Sequence, residues 1–563
     1  MTAENRSFSD ICRALAAKRW TAFLLLLCGG VLTGLTLIFP KLGLFEWLTL
    51  VPTALFLLVR ASDEKVRLRT LYGYGFFFFM FFYLTVFHWF INLYPLDFIA
   101  GMTKGAALSV VLLGWWGLSL FQALQGALVF VLGGAVLRSR ICRRFPLLSP
   151  FAFAGLWAIY EWWQTVGWFG VPWGRLPIGQ SAYVVGLQTA SLFGSYFVTF
   201  LLVAVNGLVA YVILERAALR VGCATLAAVL VFQYGVGSIL YFTTSRDKGE
   251  PIAVAAAQGN ISSHEKWNFS LTMKTREVYA QYTAEAAQNG AKIVVWPETA
   301  LPHTLVPDGS HWDFVSELAR EHNVTILVGA FHDVEWDVDE DDEDWEEIDD
   351  WEEDLSYNAV FCFLPDGTAI ETVYAKRHLV PFGEYVPMRE LVETVAPALS
   401  ELTLSSDELA AGEGGQLFEL EEGTVGTLIC FDSIYEELTL ESVREGAELI
   451  CLSTNDSWFT DSAALYMHNA QAQLRAVETG RYVVRSANTG ISTVIAPTGA
   501  VIDELEPLVG GIVEAEVYAR DSLTLYTRIG NLFVYLLMAA FVSLGVWETV
   551  GCVKKRKMAR VSP

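Results

Sequence analysis

Glu298, Lys376 and Cys430 each stand where an apolar, strand-like run gives out: "AKIVVWPETA" reaches Glu298, "ETVYAK" reaches Lys376 and "TVGTLICFD" reaches Cys430. A charge at the end of a buried strand is costly unless it is paired or put to use, whereas a strand-end cysteine taken alone is most simply a piece of core. Together the three types make up what acyl transfer through sulfur requires. A carboxylate takes the thiol proton and the thiolate attacks a carbonyl. An ammonium then neutralises the oxyanion, helped by the backbone N–H of Phe431. Singly, Glu298 reads as a helix cap and Lys376 as a surface ion-pair partner; the coincidence of all three is what points to a site.

The elements that must carry these groups alternate between strand and helix. "IAVAAAQGN" reads as a strand running into a loop, and "LTMKTREVYAQYTAEAAQNG" as a helix stopped at Gly290. "VTILVGAF" is a strand, and "YNAVFCFLPDGTAIETVYAK" is a hairpin about "PDG". "TVGTLICFD" and "AELICLSTND" are buried strands, "ALYMHNAQAQLRAVETGRYVV" is a helix, and "GISTVIAPTGAVIDEL" closes with a hairpin. This order predicts a layered α/β sandwich.

The rest of the chain is of another kind. The 563 residues are 53% hydrophobic, the mean hydropathy is +0.39, and the formal net charge of −24 is unevenly spread. Residues 243–528 hold 53 acidic and 16 basic side chains, while the remainder holds 9 and 22. An acidic domain repels nucleic acid, which excludes that partner. Apolar runs near 20–39, 43–60, 71–94, 106–137, 150–164, 183–214, 223–242 and 529–550 predict eight transmembrane helices. The domains expected are therefore a membrane part over 1–242, an extracytoplasmic part over 243–528, and an eighth span with a basic tail over 529–563.

Basic residues fix the expected orientation. Arg13, Lys18, Arg60, Arg67, Arg138, Arg143, Arg216 and the tail "KKRKMAR" lie on one side, and only Lys41, Lys104 and Arg175 lie in the alternate loops. Both termini are thus expected in the cytoplasm, with the first span an uncleaved anchor. Of eight cysteines only Cys362, Cys430 and Cys451 fall in 243–528, so at most one pair could form there and one thiol stays free. No C-x-x-C or H-x-x-x-H spacing suggests zinc; neither a metal nor a cofactor is expected.

At its candidate site residues the sequence resembles the nitrilase (carbon–nitrogen hydrolase) superfamily, and within it the apolipoprotein N-acyltransferases. The motifs that carry the resemblance are "QGNISSHEKW", "WPETALP", "YAKRHLVPFGEYVP", "LICFDSIYEE", "STNDSWF" and "RAVETGRYVVRSANTGIS", with "GWFGVPWGRLPIGQS" in the membrane part. The resemblance implies a nitrilase-like αββα sandwich carried on a polytopic helical bundle in the bacterial inner membrane. It implies a Glu298–Lys376–Cys430 triad. A phospholipid, typically phosphatidylethanolamine, would give an acyl chain to Cys430 as a thioester, and the N-terminal amine of a diacylglyceryl apolipoprotein would receive it. It further implies that Glu384 orients the lysine and that Trp267 belongs to a loop near the acyl entrance. Asn455 and Asp456 would shape the active-site loop or meet substrate, and read equally as turn formers. Phe431-Asp432 stands where the family often has Tyr-Glu, so a supporting role passes to a shorter acid and a phenol is lost.

Other features carry weaker readings. Residues 333–354, "DVEWDVDEDDEDWEEIDDWEED", have 16 acidic residues and no basic one. That composition predicts a solvated insertion; the D-x-D-x-D at Asp337, Asp339 and Asp341 lacks the glycine of a calcium loop, Asp342 standing in its place. The amphipathic start of 388–415 reads as either a bilayer arm or a surface helix. Glu161 either snorkels or braces the "VPWG" loop. His378 and His468 read as structural. The competing functions are a membrane-tethered amidase that uses water, and a scaffold with an inert domain. A hydrolase needs one anchor rather than eight spans, and the intact triad types argue against the scaffold.

Overall fold

The computed structural model describes residues 8–96, 102–167, 170–262, 271–333, 356–390, 394 and 409–561. These divide between two compact units, one drawn from Met1–Ile91, Val110–Thr243 and Thr524–Pro563, the other from Asn92–Ser109 and Thr244–Leu523.

The second unit is built on two sheets. Strands β1 (Ile252–Gln258), β2 (Ile293–Val295), β3 (Thr325–Asp333), β4 (Ser356–Phe363), β5 (Tyr374–Ala375) and β6 (Leu409–Ala410) form the first sheet with a late strand, β13 (Gly511–Val517), in the order β13-β1-β2-β3-β4-β5, β6 pairing with β4. Strands β7 (Leu417–Leu420), β8 (Gly423–Ile429), β9 (Leu449–Thr454), β10 (Val483–Ala487), β11 (Ser492–Ile495) and β12 (Val501–Leu505) form the second, in the order β12-β11-β10-β9-β8-β7. The central pairs β1–β2, β2–β3, β8–β9 and β9–β10 are parallel. Parallel strands are covered on both faces and therefore read as continuous apolar runs.

One face of each sheet meets the other. Val254, Ile293, Leu327, Val360 and Cys362 pack against Ile429, Cys451, Val484 and Val494. Both buried cysteines are free, and burial pushes the Cys362 thiol up to about 12. The outer face of the first sheet is covered by helices Thr272–Gln288 and Ser310–His322 through Tyr279, Ala286, Val315 and Leu318. Trp296 fills this layer, stacked on Tyr279 at 4.8 Å and donating its Nε1–H to Thr283 at 3.1 Å. Helices Glu436–Glu445 and Ala463–Thr479 cover the second sheet. The result is the expected αββα sandwich, nitrilase-like in its layering.

Two sequence readings change here. The helix expected over the whole of 464–484 ends at Thr479, because Gly480 takes a left-handed conformation (φ +67°) and caps it; the β-branched pair Val483–Val484 then starts β10. Strand β13 was not anticipated at all, yet it pairs with β1 over its full length.

The first unit is helical. Among the described residues six stretches are long and apolar enough to cross a bilayer: Arg19–Ile38, Pro40–Ala61, Lys104–Leu137, Ser195–Leu214, Arg216–Thr244 and Leu532–Val553. The expected third and fifth spans fold as helices Leu68–Val86 and Leu148–Trp163, of 19 and 16 residues. The sixth begins later than residue 183. Residues 172–193 make short turns instead, and the helix starts only after Gly194, whose φ is +81° and where a Cβ would lie 2.5 Å from the Tyr526 ring. Glu161 braces this region, accepting from Trp157 Nε1 (3.1 Å), Leu176 N (3.0 Å) and Thr199 Oγ1 (2.5 Å). The rim of the "VPWG" loop is thus tied to a buried carboxylate, the second of the two readings offered for it. The insertion after Asp333, the Trp267 loop and most of 388–415 lie outside the described residues.

Candidate active site

Parallel strands deliver their C-terminal ends to one edge. Glu298 follows β2, Cys430 follows β8 directly, Asn455 and Asp456 follow β9, and Lys376 follows β5. Thr299 and Cys430 both have positive φ (+45° and +48°), conformations that side chains other than glycine adopt only when the surroundings hold them. The chain turns sharply at both places, which aims the side chains off the strand ends. Gly329 of β3 makes room for the first turn, since a Cβ there would sit 2.4 Å from Pro297 O.

Lys376 is buried and clasped by two carboxylates. Its Nζ donates to Glu298 Oε1 at 2.9 Å and to Glu384 Oε1 at 2.8 Å. Burial works against the ammonium, but Glu298, Glu384 and Cys430 outweigh it and hold the Lys376 pKa well above the ordinary range. Glu298 Oε2 accepts from the backbone N–H of Asn455 at 2.7 Å. Glu384 Oε2 accepts from Val380 N at 2.8 Å. Asn358, which sequence reasoning did not single out, spans the two acids: its Nδ2 donates to Glu298 Oε1 at 2.7 Å and to Glu384 Oε1 at 3.1 Å.

The Cys430 thiol lies within electrostatic reach of Glu298, Lys376 and Asp456. Burial and then the Glu298 charge push its pKa well up, while Lys376 opposes them. The resting group is therefore a neutral thiol beside a carboxylate, which is the arrangement a general base acts on.

The remaining candidates fall as follows. Asp432 is fully buried and braces the turn: Oδ2 accepts from Tyr374 OH (3.0 Å) and Ile429 N (3.2 Å), and Oδ1 from His378 N (2.8 Å). It thereby joins the strand that carries Lys376 to the turn that carries Cys430. Phe431 is buried edge-on against Tyr435 at 5.5 Å. Asn455 and Asp456 are also buried. Asp456 takes Arg485 Nη2 at 2.7 Å and faces His468 Nδ1 at 2.9 Å; its carboxylate is held well below the usual range because Arg485 and His468 overcome the cost of burial. Those contacts tie Asp456 to β10 and to helix Ala463–Thr479. Trp267 lies outside the described residues. Among the described residues no cluster of three or more His, Cys, Asp or Glu side chains could hold a metal ion.

Residues 253–521 match the family model for carbon–nitrogen hydrolases, and residues 29–208 match that for the apolipoprotein N-acyltransferase N-terminal domain. Fold and sequence thus define the class: a nitrilase-like domain joined to a helical region of membrane type. An apolipoprotein N-acyltransferase of Gloeobacter violaceus is 31% identical over 524 residues, 92% of each chain, and one of Methylococcus capsulatus is 31% identical over 515 residues, 89% of each. Among solved structures, Saccharomyces cerevisiae Nit3 of the nitrilase superfamily aligns with 49% of this chain and 92% of its own at 20% identity, with a TM-score of 0.36. This chain belongs to the apolipoprotein N-acyltransferase family, and with it to the bacterial membrane proteins.

Proposed function

We propose that the protein transfers an acyl chain from a membrane phospholipid to the N-terminal amine of a diacylglyceryl-cysteine apolipoprotein, through a thioester on Cys430. The observation that carries the reading is the buried Lys376 clasped by Glu298 and Glu384 beside a thiol on a strained turn, in a chain of this family.

In the first step Glu298 takes the Cys430 proton as sulfur attacks the sn-1 ester carbon of the donor, expected to be phosphatidylethanolamine. The C–S bond forms, and the oxyanion is met by Lys376 Nζ and the Phe431 N–H. Collapse breaks the ester C–O bond, and Glu298 returns the proton to the leaving lysophospholipid. In the second step the acceptor amine attacks the thioester carbon, Glu298 takes a proton from nitrogen, and the thiolate leaves and is reprotonated. Splitting the transfer in two replaces one difficult displacement by two easier ones. Asn358 and Glu384 fix the base and the cation, Asp432 braces the turn, and Trp267 guards the acyl entrance.

The basic loops support an inner-membrane topology with both termini cytoplasmic and residues 243–528 across the membrane. Lipid-anchored donor and acceptor both suit a domain tethered in that way. The test is to incubate the purified protein with acyl-labelled phosphatidylethanolamine, locate the adduct by mass spectrometry, and add a diacylated lipopeptide. The expected result is a hydroxylamine-labile adduct on Cys430 that discharges to the lipopeptide. Discharge to water alone would favour an amidase, and the absence of any adduct would favour a scaffold.

A further inference from the structure

His468 lies in helix Ala463–Thr479, 38 residues beyond the nucleophile, and is fully buried. Its Nε2 donates to the backbone carbonyl of Cys430 at 3.1 Å, a group that can only accept. Ser433 Oγ donates to the same carbonyl at 2.7 Å and itself lies 3.0 Å from Nε2. On the other side of the ring, Nδ1 faces Asp456 Oδ1 at 2.9 Å, and Asp456 Oδ2 takes Arg485 Nη2 at 2.7 Å. Arg485 is fully buried on β10. A Cβ on Gly490 would lie 2.2 Å from Asp456 Oδ2, so the backbone there closes on the carboxylate. Arg485 Nη2 also lies 3.2 Å from His468 Nδ1, so a cation and an anion both stand against the imidazole behind one peptide group.

That peptide group is the one that matters. A trans peptide is planar, with its C=O and N–H pointing in opposite directions. Holding the Cys430 carbonyl toward His468 and Ser433 turns the Phe431 N–H the other way, and Phe431 N–H is the backbone donor assigned above to the oxyanion. Cys430 also needs the hold, since it sits at φ +48° without glycine's freedom. We infer that His468, oriented by Asp456 and Arg485, is a positioning residue for the oxyanion donor: it fixes the 430–431 peptide and so aims the Phe431 N–H.

The inference rests on the thioester reading, and the experiment separates the two. An oxyanion donor serves carbonyl attack but does nothing for alkylation of the same sulfur by iodoacetamide. In H468A the rate of acyl adduct formation from labelled phosphatidylethanolamine should fall about 100-fold, the loss typical of one oxyanion donor, with the donor's KM unchanged. Alkylation of Cys430 should stay within about threefold of wild type. H468Q keeps an N–H that reaches the carbonyl and should recover about tenfold of the loss. S433A removes the other donor and should slow adduct formation about tenfold while sparing alkylation; it carries the comparison if H468A does not fold. Parallel loss of alkylation and acylation in H468Q and S433A, or an H468A that acylates like wild type, would overturn the inference alone. A wild-type protein that forms no adduct would overturn the functional reading and this inference with it.

Discussion

Asn358 offers the sharpest test of the site's electrostatics. Its amide nitrogen gives one hydrogen to Glu298 at 2.7 Å and one to Glu384 at 3.1 Å, and the residue is 2% exposed. A hydrogen bond to a charged group is worth about 1.5–3 kcal/mol net, and 1.36 kcal/mol corresponds to about one pKa unit. Glu298 keeps Lys376 Nζ and Asn455 N after Asn358 is truncated, so the lower end applies. In Asn358→Ala the acid limb of the rate of Cys430 acylation should move up by about one unit. At a pH on the wild-type limb the variant should be about tenfold slower, and it should catch up as the pH rises. Asn358→Asp sets a third carboxylate against Glu298 and Glu384 with only Lys376 to neutralise them, so the limb should move further. The assay is single-turnover adduct formation from labelled phospholipid between pH 5 and 9. A plateau that drops while the limb stays fixed would show that Asn358 only fills space. An unchanged profile in both variants would refute the claim that Asn358 tunes the base.

Three further outcomes follow from the geometry. Gly329→Ala puts a methyl 2.4 Å from Pro297 O and 2.9 Å from the Glu298 Cα; overpacking of this kind costs about 1–3 kcal/mol, and adduct formation should fall more than the thermal midpoint in detergent would suggest, because the strain lands on the base. Asp333 and Ser356 are register partners at the end of β3 and β4, so a short Gly/Ser turn in place of residues 335–354 should close the hairpin and leave acylation within about twofold, the loop-closure cost being small; a large loss would assign the acidic segment a role in catalysis. The Asp456 pKa is depressed in the folded state, so its contribution to stability is complete above about pH 5 and is lost as the pH falls below about 4 toward the folded value. Thermal melts of Asp456→Asn should show a lower midpoint at pH 7 and a flatter profile between pH 5 and 3.

What could be read from the sequence follows from where each group sits. Glu298 and Cys430 were visible because each ends a run of five buried residues, whereas Lys376 follows only the short apolar run Val373–Ala375 and drew notice as a charge at a strand end. Asn358 and Arg485 lie inside strands, where a polar residue is easily taken for the solvent side of an alternating pattern. Burial on both faces, which makes each of them costly and therefore meaningful, exists only once the sheets are stacked. The same holds for His468, which read only as structural: its partners come from the turns after β8 and β9 and from β10. Strand β13 carried an alternating signal in "GIVEAEV", with two glutamates on the partly exposed side. What hid it was its distance along the chain from its partner β1, 265 residues between Ile252 and Val517 and 253 between Gln258 and Gly511. Gly194 delays the start of one helix and Gly480 ends another where hydropathy and helical periodicity run straight through, because a positive-φ residue leaves no trace in either pattern.

The division of the site between the two sheets has a consequence for how it works. On the proposed mechanism the first sheet supplies the base and the cation, after β2 and β5, with Asn358 on β4, and the second supplies the nucleophile after β8 and its supports after β9 and on β10. Neither half would then do chemistry alone, so the separation and register of the sheets would set the distance over which the proton must move. Apolar packing between the sheets is strong but non-directional and would tolerate small slips. The bonds that cross from one sheet to the other are directional: Asn455 N to Glu298 Oε2 at 2.7 Å, Ser453 Oγ to Trp296 O at 2.9 Å, Tyr374 OH to Asp432 Oδ2 at 3.0 Å and His378 N to Asp432 Oδ1 at 2.8 Å. All four lie at the strand ends that carry the site: one ends on Glu298 itself, and the other three involve residues two positions from a candidate triad residue. The packed faces therefore account for stability, while these few polar bonds account for alignment. Substitutions among them should reduce turnover out of proportion to their effect on folding, and substitutions at Val254, Leu327 or Val484 should do the reverse.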